Sequence, residues 1–245
     1  MYSESLFHIL NEIDSTNNYA MAKVHEGLAH HGMAWFAASQ SDGKGQRGKK
    51  WASNHGENII LSVVIEPFKW FAARPFLFNA LIANTCRQFL SDLIDEEVEI
   101  KWPNDLYIRD RKAGGILIEN IYRGNQWNMS VAGMGINVNQ LSFSPDIPNP
   151  ISLRQITDIQ YDTLSLSKKL HLLILDNLSV LEENNLNRII VEYNKNLYKR
   201  GQLVKLRREN MVFETKIEEV NEFGQLITSD NIERQFEFGE VEWVI

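Results

Sequence analysis

Apolar residues recur at helical spacing along 75-PFLFNALIANTCRQFLSDL-93, and Pro75 suits a first helical turn. The stretch 58-NIILSVVIEP-67 follows another rule: its unbroken β-branched run predicts a buried strand ended by Pro67. A shorter apolar run, 33-MAWFAASQ-40, predicts a second strand. The segment 15-STNNYAMAKVHEG-27 predicts a helix capped by Ser15 or Thr16 and ended at Gly27. Then 98-VEIKW-102 predicts a strand that stops at Pro103. Next, 114-GGILIENIY-122 and 127-WNMSVAGMGINVN-139 predict two strands joined by a hairpin at 123-RGNQ-126. Proline-rich 141-LSFSPDIPNP-150 predicts an irregular surface loop. Two helices follow, at about residues 164–184 and 186–197.

From Gly201 the pattern shortens. Strands are predicted at 202–208, 211–220, 225–229, 233–238 and 241–245, separated by polar turns. Five strands in so short a span predict a small β-barrel. The expected layout is an α+β unit over residues 1–197, with a mixed sheet flanked by helices, and a small β-barrel over 198–245.

Composition adds limits. The balance of 44% hydrophobic and 23% charged residues fits a soluble globular chain. The single cysteine, Cys86, cannot form an intrachain disulfide and reads as a buried thiol in a helix. Together with the lack of a signal peptide, this points to a cytoplasmic setting. No apolar run reaches the roughly 18 residues of a membrane span. The histidines are scattered, so no zinc site is expected. A net charge of −7 argues against a general nucleic-acid binder.

Against that acidity, 43-GKGQRGKKW-51 stands out, with three glycines and four cations in nine residues. Glycine lets backbone N–H groups approach an anion closely. No helix signal follows, so the loop is not a dinucleotide fingerprint, and it lacks the Gly-Lys-Ser/Thr of a Walker loop. It reads either as a flexible loop closing on a phosphate or as a solvated basic loop. In 101-KWPNDLYIRDRKAGGILIE-119, Asn104 and Asp105 follow a strand end, a common place for chemistry, though a simple Asx turn also accounts for them. Lys112 lies beside Gly114 and Gly115, where a ligand could rest on bare backbone. In 133-GMGIN-137, two glycines punctuate a strand, marking either a bulge or a close approach.

In this order the motifs resemble the bacterial biotin protein ligases. The similarity rests on Ser15-Thr16-Asn17, 40-QSDGKGQRGKKW-51, 101-KWPNDLYI-108, 111-RKAGGILIE-119 and 133-GMGIN-137, and it spans about residues 12–140. It implies a fold like that of the class II aminoacyl-tRNA synthetases and biotin ligases, with an SH3-like barrel at the C-terminus. About a dozen residues precede Asp14, so the resemblance is to the short form, without the DNA-binding domain that some members carry. The family's loop usually has arginine where this chain has Lys44, Gln46 and Lys49. Lysine offers phosphate a point charge instead of a fork, and glutamine offers no charge. Arg47 falls at a variable position.

The resemblance implies two steps: biotin and ATP give biotinyl-5'-AMP and pyrophosphate, then a lysine of a biotin carboxyl carrier domain takes the biotin. It implies catalytic roles for Lys112, Lys44 and Asp105. Biotin would be held by Ser15, Thr16, Asn17, Gln40, Gly43, Lys44, Gly45, Lys112, Gly114 and Gly115. ATP would be held by Gln46, Arg47, Lys49, Trp51, Asn104, Lys112 and Asn137. Magnesium would travel with the nucleotide and take few direct protein ligands, and a homodimer paired through sheet edges is a further expectation. Lipoate ligation on the same scaffold is the nearest alternative. A nucleic-acid module using the basic loop and barrel, and a non-catalytic biotin binder, are the others.

Overall fold

The structure, a computed structural model, describes residues 6–244. A seven-stranded mixed sheet forms its centre, in the order β1-β2-β3-β7-β6-β5-β4. Strand β1 (Phe7–Ile13) runs parallel to β2 (Ala34–Gln40); β3 (Asn58–Ile65), β4 (Val98–Lys101), β5 (Asp105–Ile108), β6 (Arg111–Arg123) and β7 (Gln126–Asn137) pair antiparallel with their neighbours. All eight residues of β3 are buried, as expected for a strand covered on both faces.

Helices cover the two faces unequally. Helix α1 (Thr16–His25) starts where the Ser15 side chain accepts from the Asn18 N–H. It packs Ala20 and Val24 against Trp35, Val64, Ile121 and Val131 on one face. Helices α2 (Pro75–Ser91), α4 (Thr163–Ser179) and α5 (Leu186–Lys195) cover the other, a larger core. Cys86 is fully buried there, and burial pushes its thiol up to about 12. The short α3 (Leu153–Thr157) is closed by a capping box between Ser152 and Gln155.

Strands β8 (Leu203–Arg208), β9 (Met211–Val220), β10 (Leu226–Ser229), β11 (Glu233–Phe236) and β12 (Glu242–Val244) form a second, antiparallel sheet. Its order is β11-β10-β9-β8-β12, so β11 and β12 are its edges. No pairing joins these edge strands among the described residues, and the five-stranded antiparallel sheet is consistent with the expected small SH3-like barrel. The last residue of the expected strand 241–245, Ile245, lies outside the described residues. Leu206, Ile217, Val220, Leu226 and Phe236 belong to the same continuous core as the large sheet. Trp102 Nε1 donates to Gly224 O at 2.9 Å, tying the two sheets together.

Three elements escaped the sequence pattern: β1, β5 and α3. In β1 Ile9 is 56% exposed and only half-buried positions alternate with it, so no clean period marks the strand. The four residues of β5 sit one position past the cis Trp102–Pro103 peptide, where a turn was the simpler reading.

Candidate functional site

Alternation along the strands builds the site. The sheet face under α1 is apolar at Trp35, Val64, Ile121 and Val131. Two residues further along each strand, the same face presents Ser62, Glu119 and Gly133; beyond them come Ile60, Leu117, Gly115, Gly135 and Asn137. There, at the N-terminal end of α1, a cleft of about 1470 Å³ opens. A pocket for one small ligand typically holds roughly 300–1,000 Å³, so this one has room for two.

The cation at the centre is placed by a bulge. Leu106 pairs with Gly114 and Tyr107 with Lys112, leaving Ala113 as an extra residue in β6. The extra residue turns Lys112 onto the cleft face beside Gly115. There Lys112 Nζ meets Asp105 Oδ1 at 2.6 Å. The Lys112 backbone is held from the opposite wall: its N–H donates to Asn149 O at 2.8 Å, and Ile151 N–H donates to its carbonyl at 2.9 Å. The proline-rich segment is thus irregular, as predicted, but it is a wall of the cleft through Phe143, Ile147, Pro148 and Pro150.

The basic loop is a short hairpin. Trp51 N–H donates to Gly43 O at 2.8 Å, Gly45 N–H donates to Lys49 O at 2.7 Å, and Lys44 bridges Lys50. Arg47 caps its turn in a left-handed conformation, φ 55°. The Arg47 guanidinium donates to Gly239 O at 3.1 Å and lies over the Phe238 ring. A methyl group at Gly239 would collide with it. Arg47 therefore latches the loop to the turn between β11 and β12. Gln46 Oε1 and Trp51 Nε1 are buried polar atoms without a partner, on the loop that roofs the cleft. Such orphans are costly unless a ligand satisfies them.

At the other end, Ser15, Thr16 and Asn17 are all buried and lie next to Gln40. Gln40 Oε1 accepts from Thr16 N–H at 2.7 Å and lies 3.1 Å from Thr16 Oγ1. The glycines of 133-GMGIN-137 are not at a bulge, for β7 pairs in regular register with β3 throughout. They mark close approaches: a methyl group at Gly133 would strike Asn17 Oδ1, and one at Gly135 the Trp51 indole.

Of the expected site residues, Gly43 and Gly114 do not line the cleft. A side chain at Gly43 would meet Trp51 O and Gln40 Nε2; one at Gly114 would meet Gly135 O, Ile136 and Leu106 on the core side. Asn104 and Asn137 do line it, but one amide N–H of Asn104 and both of Asn137 are committed. Asn104 donates to Ile116 O; Asn137 donates to Lys112 O at 3.3 Å and Ile151 O at 3.1 Å. Both hold the framework around Lys112. Sequence reasoning passed over Lys101. The residue is 7% exposed, and its ammonium donates to Tyr107 OH at 3.1 Å and sits among the rings of Tyr107, Tyr198 and Trp243. Burial lowers its pKa to about 8; Asp105 opposes that shift, while Lys112 and Lys49 add to it. Its pairing opposite Asp105 could have flagged it, had β5 been recognised.

Among the described residues no group of three His, Cys, Asp or Glu side chains is placed to hold a metal. A magnesium ion would have to be carried mainly by phosphate and water, which suits its chemistry. No helix among the described residues is long and apolar enough to cross a membrane.

Fold and cleft together define an α+β protein with a large cation-lined cleft at one end of a mixed sheet. The chain belongs to the biotin/lipoate A/B protein ligase family, whose pattern matches residues 10–137, just over half of it. The bifunctional ligase/repressor BirA of Salmonella typhimurium is 33% identical over 189 residues, covering 76% of this chain and 58% of the relative. A biotin–[acetyl-CoA-carboxylase] ligase from Paracoccus denitrificans is 34% identical over 140 residues, 56% of this chain and 55% of its own. The chain thus spans only part of the length of these curated relatives. The biotin protein ligase from Aquifex aeolicus in complex with biotin and ATP superposes with a TM-score of 0.80 at 25% identity, covering 96% of this chain and 97% of that one.

Proposed function

We propose that this protein is an ATP-dependent biotin protein ligase. It joins biotin to AMP and passes the biotin to a lysine of a carrier domain belonging to acetyl-CoA carboxylase or a related carboxylase. The observation that carries the reading is the Lys112–Asp105 pair on the floor of a cleft with room for two ligands. Curated relatives named as biotin ligases support it.

The first step brings together two anions, a carboxylate and an α-phosphate. Lys112 stands between their positions and offsets the repulsion, and Asp105 holds its ammonium in place. The uncharged ureido head group goes to the neutral end of the cleft, at Ser15, Thr16, Asn17 and Gln40, and the valeryl chain runs over Gly115. Lys44, Gly45, Gln46 and Lys49 cover the phosphate, and Trp51 walls the base. When bound, magnesium neutralises charge on the phosphates. In the second step the acceptor amine attacks the carbonyl of the mixed anhydride and AMP leaves. Residues 1–197 carry this chemistry, and 198–245 close the cleft from the side of Phe238 and Trp243. The cytoplasm is the expected setting, and pairing of two copies through a sheet edge is a further expectation.

ATP–pyrophosphate exchange tests the reading with biotin, with lipoate and with neither. Exchange driven by biotin alone is expected. Exchange driven by lipoate would change the substrate, and exchange with neither acid would remove the ligase assignment.

A further inference from the structure

We propose that Glu119, outside the cleft lining, is a positioning residue that sets the hydrogen-bonding polarity of the head-group pocket. The proposal rests on the biotin reading. The Asn17 amide nitrogen faces two groups that only accept, the Glu119 carboxylate at 2.9 Å and Leu117 O at 3.3 Å. Both amide hydrogens are used there, so Asn17 Oδ1 must point the other way, over Gly133, where no side chain intervenes. Ser62 is fully buried, with two oxygens in reach of its hydroxyl: Asn17 Oδ1 at 2.6 Å and Thr16 Oγ1 at 2.8 Å. A hydroxyl has one hydrogen. With Oδ1 fixed as an acceptor, the Ser62 hydrogen goes to Asn17, and Ser62 Oγ is left to accept from Thr16. Gln40 Oε1 accepts from the Thr16 N–H at 2.7 Å and lies 3.1 Å from Thr16 Oγ1; the oxygen nearer that hydroxyl is Ser62 Oγ, at 2.8 Å, and its one hydrogen goes there.

The order of protons therefore runs Thr16 to Ser62 to Asn17 to Glu119. It turns the lone pairs of Thr16 Oγ1 toward the cleft as an acceptor. The negative end of the chain polarises each link, which strengthens that acceptor. The complement is a ligand N–H, which a ureido ring supplies and a dithiolane ring does not. A site built to pair an N–H rejects an analogue without one far better than apolar fit alone would.

Replacing the carboxylate with an amide lets its own N–H face Asn17 and allows the Asn17 amide to turn over. The Thr16 oxygen then receives the Ser62 hydrogen and loses part of its accepting capacity. The test is biotin binding by calorimetry in a double-mutant cycle of Glu119→Gln and Thr16→Val. Each single change is expected to weaken biotin by about tenfold, the order of one charge-assisted hydrogen bond. The double variant should bind within about twofold of Thr16→Val alone, since Glu119 acts through Thr16. The KM for ATP and the kcat at saturating biotin should stay within about twofold in Glu119→Gln, which a general packing defect would not spare. Unchanged biotin affinity in Glu119→Gln, or effects that multiply in the double variant, would overturn the proposal. If Glu119→Gln fails to fold by circular dichroism, Ser62→Ala breaks the same chain, and unchanged affinity there overturns it equally. The unaltered chain must first show biotin-driven exchange; its absence sinks the enzyme reading, while its presence with an inert Glu119→Gln sinks only the chain.

Discussion

Lys112 Nζ stands 2.6 Å from Asp105 Oδ1, although Asp105 pairs across its strand with Gly115 and not with Lys112. The extra residue Ala113 brings the two side chains to one face, so the ion pair is a product of the bulge. Each group lies about a quarter exposed, so the pair is neither a loose surface contact nor a sealed one. Lys112→Ala should leave a folded protein whose biotin-driven exchange falls by about 10²–10³ or more, the scale of a lost preorganised charge. Asp105→Asn keeps the ammonium but loosens it and should cost less. Near-normal pyrophosphate release from Lys112→Ala would rule out this centre.

The Arg47 latch makes a separate claim about the loop. Its guanidinium meets the Gly239 carbonyl and the Phe238 ring, both in the turn between β11 and β12. Arg47→Ala should expose residues 43–51 to limited proteolysis several-fold faster, and biotin plus ATP should restore part of the protection. Equal cleavage of Arg47→Ala and the unaltered chain would show that the latch does not hold the loop.

How far the sequence disclosed this site depended on the range of the forces involved. Helix α2, strand β3 and the β6–β7 hairpin follow from local periodicity, and the structure contains them. The motif residues Lys112, Asp105, Thr16, Gln40 and Trp51 do come together at the cleft. What was hidden depends on pairing. The bulge at Ala113 exists only against β5, a strand too short to declare itself. Lys101 is functional-looking only once β4 and β5 put it opposite Asp105 and the second sheet supplies Trp243. Gly114 and Gly115 are adjacent in the motif, and the chain alone does not say which faces the cleft. Side chains alternate across a strand, and Gly114 faces the core.

Gly133 and Gly135 differ by two residues and should fail in different ways. A methyl at Gly135 pushes on the Trp51 indole, which sits on a loop and can yield. Gly135→Ala is expected to raise the KM for ATP about tenfold or more with little change in thermal midpoint. A methyl at Gly133 meets Asn17, fixed in a buried network, so Gly133→Ala should lose about 1–3 kcal/mol by denaturant titration as well as biotin affinity. The same loss of stability in both variants would contradict this division.

Lys101 supplies a pH dependence. Its buried ammonium titrates near 8, against an ordinary 10.5, chiefly because burial disfavours the charged form. It lines the cleft opposite Asp105, so under the proposed function its charge would serve the nucleotide's phosphates. The kcat/KM for ATP reports the free enzyme, so it should fall as pH rises through about 8 and this charge is lost. Lys101→Met should be slow throughout and lack that limb; a limb that persists in the variant would assign it to another group. Stability runs in the opposite sense. The unfolded chain holds this proton more tightly than the folded one, so the cost of burying the charge is full below about pH 8 and relaxes as pH rises toward 10.5. Between those values the unaltered protein should gain stability relative to Lys101→Met while losing activity. Denaturant midpoints and exchange rates measured across the same pH series would separate the two effects. Parallel movement of both would show that the activity limb reports unfolding and not the loss of a charge from the cleft.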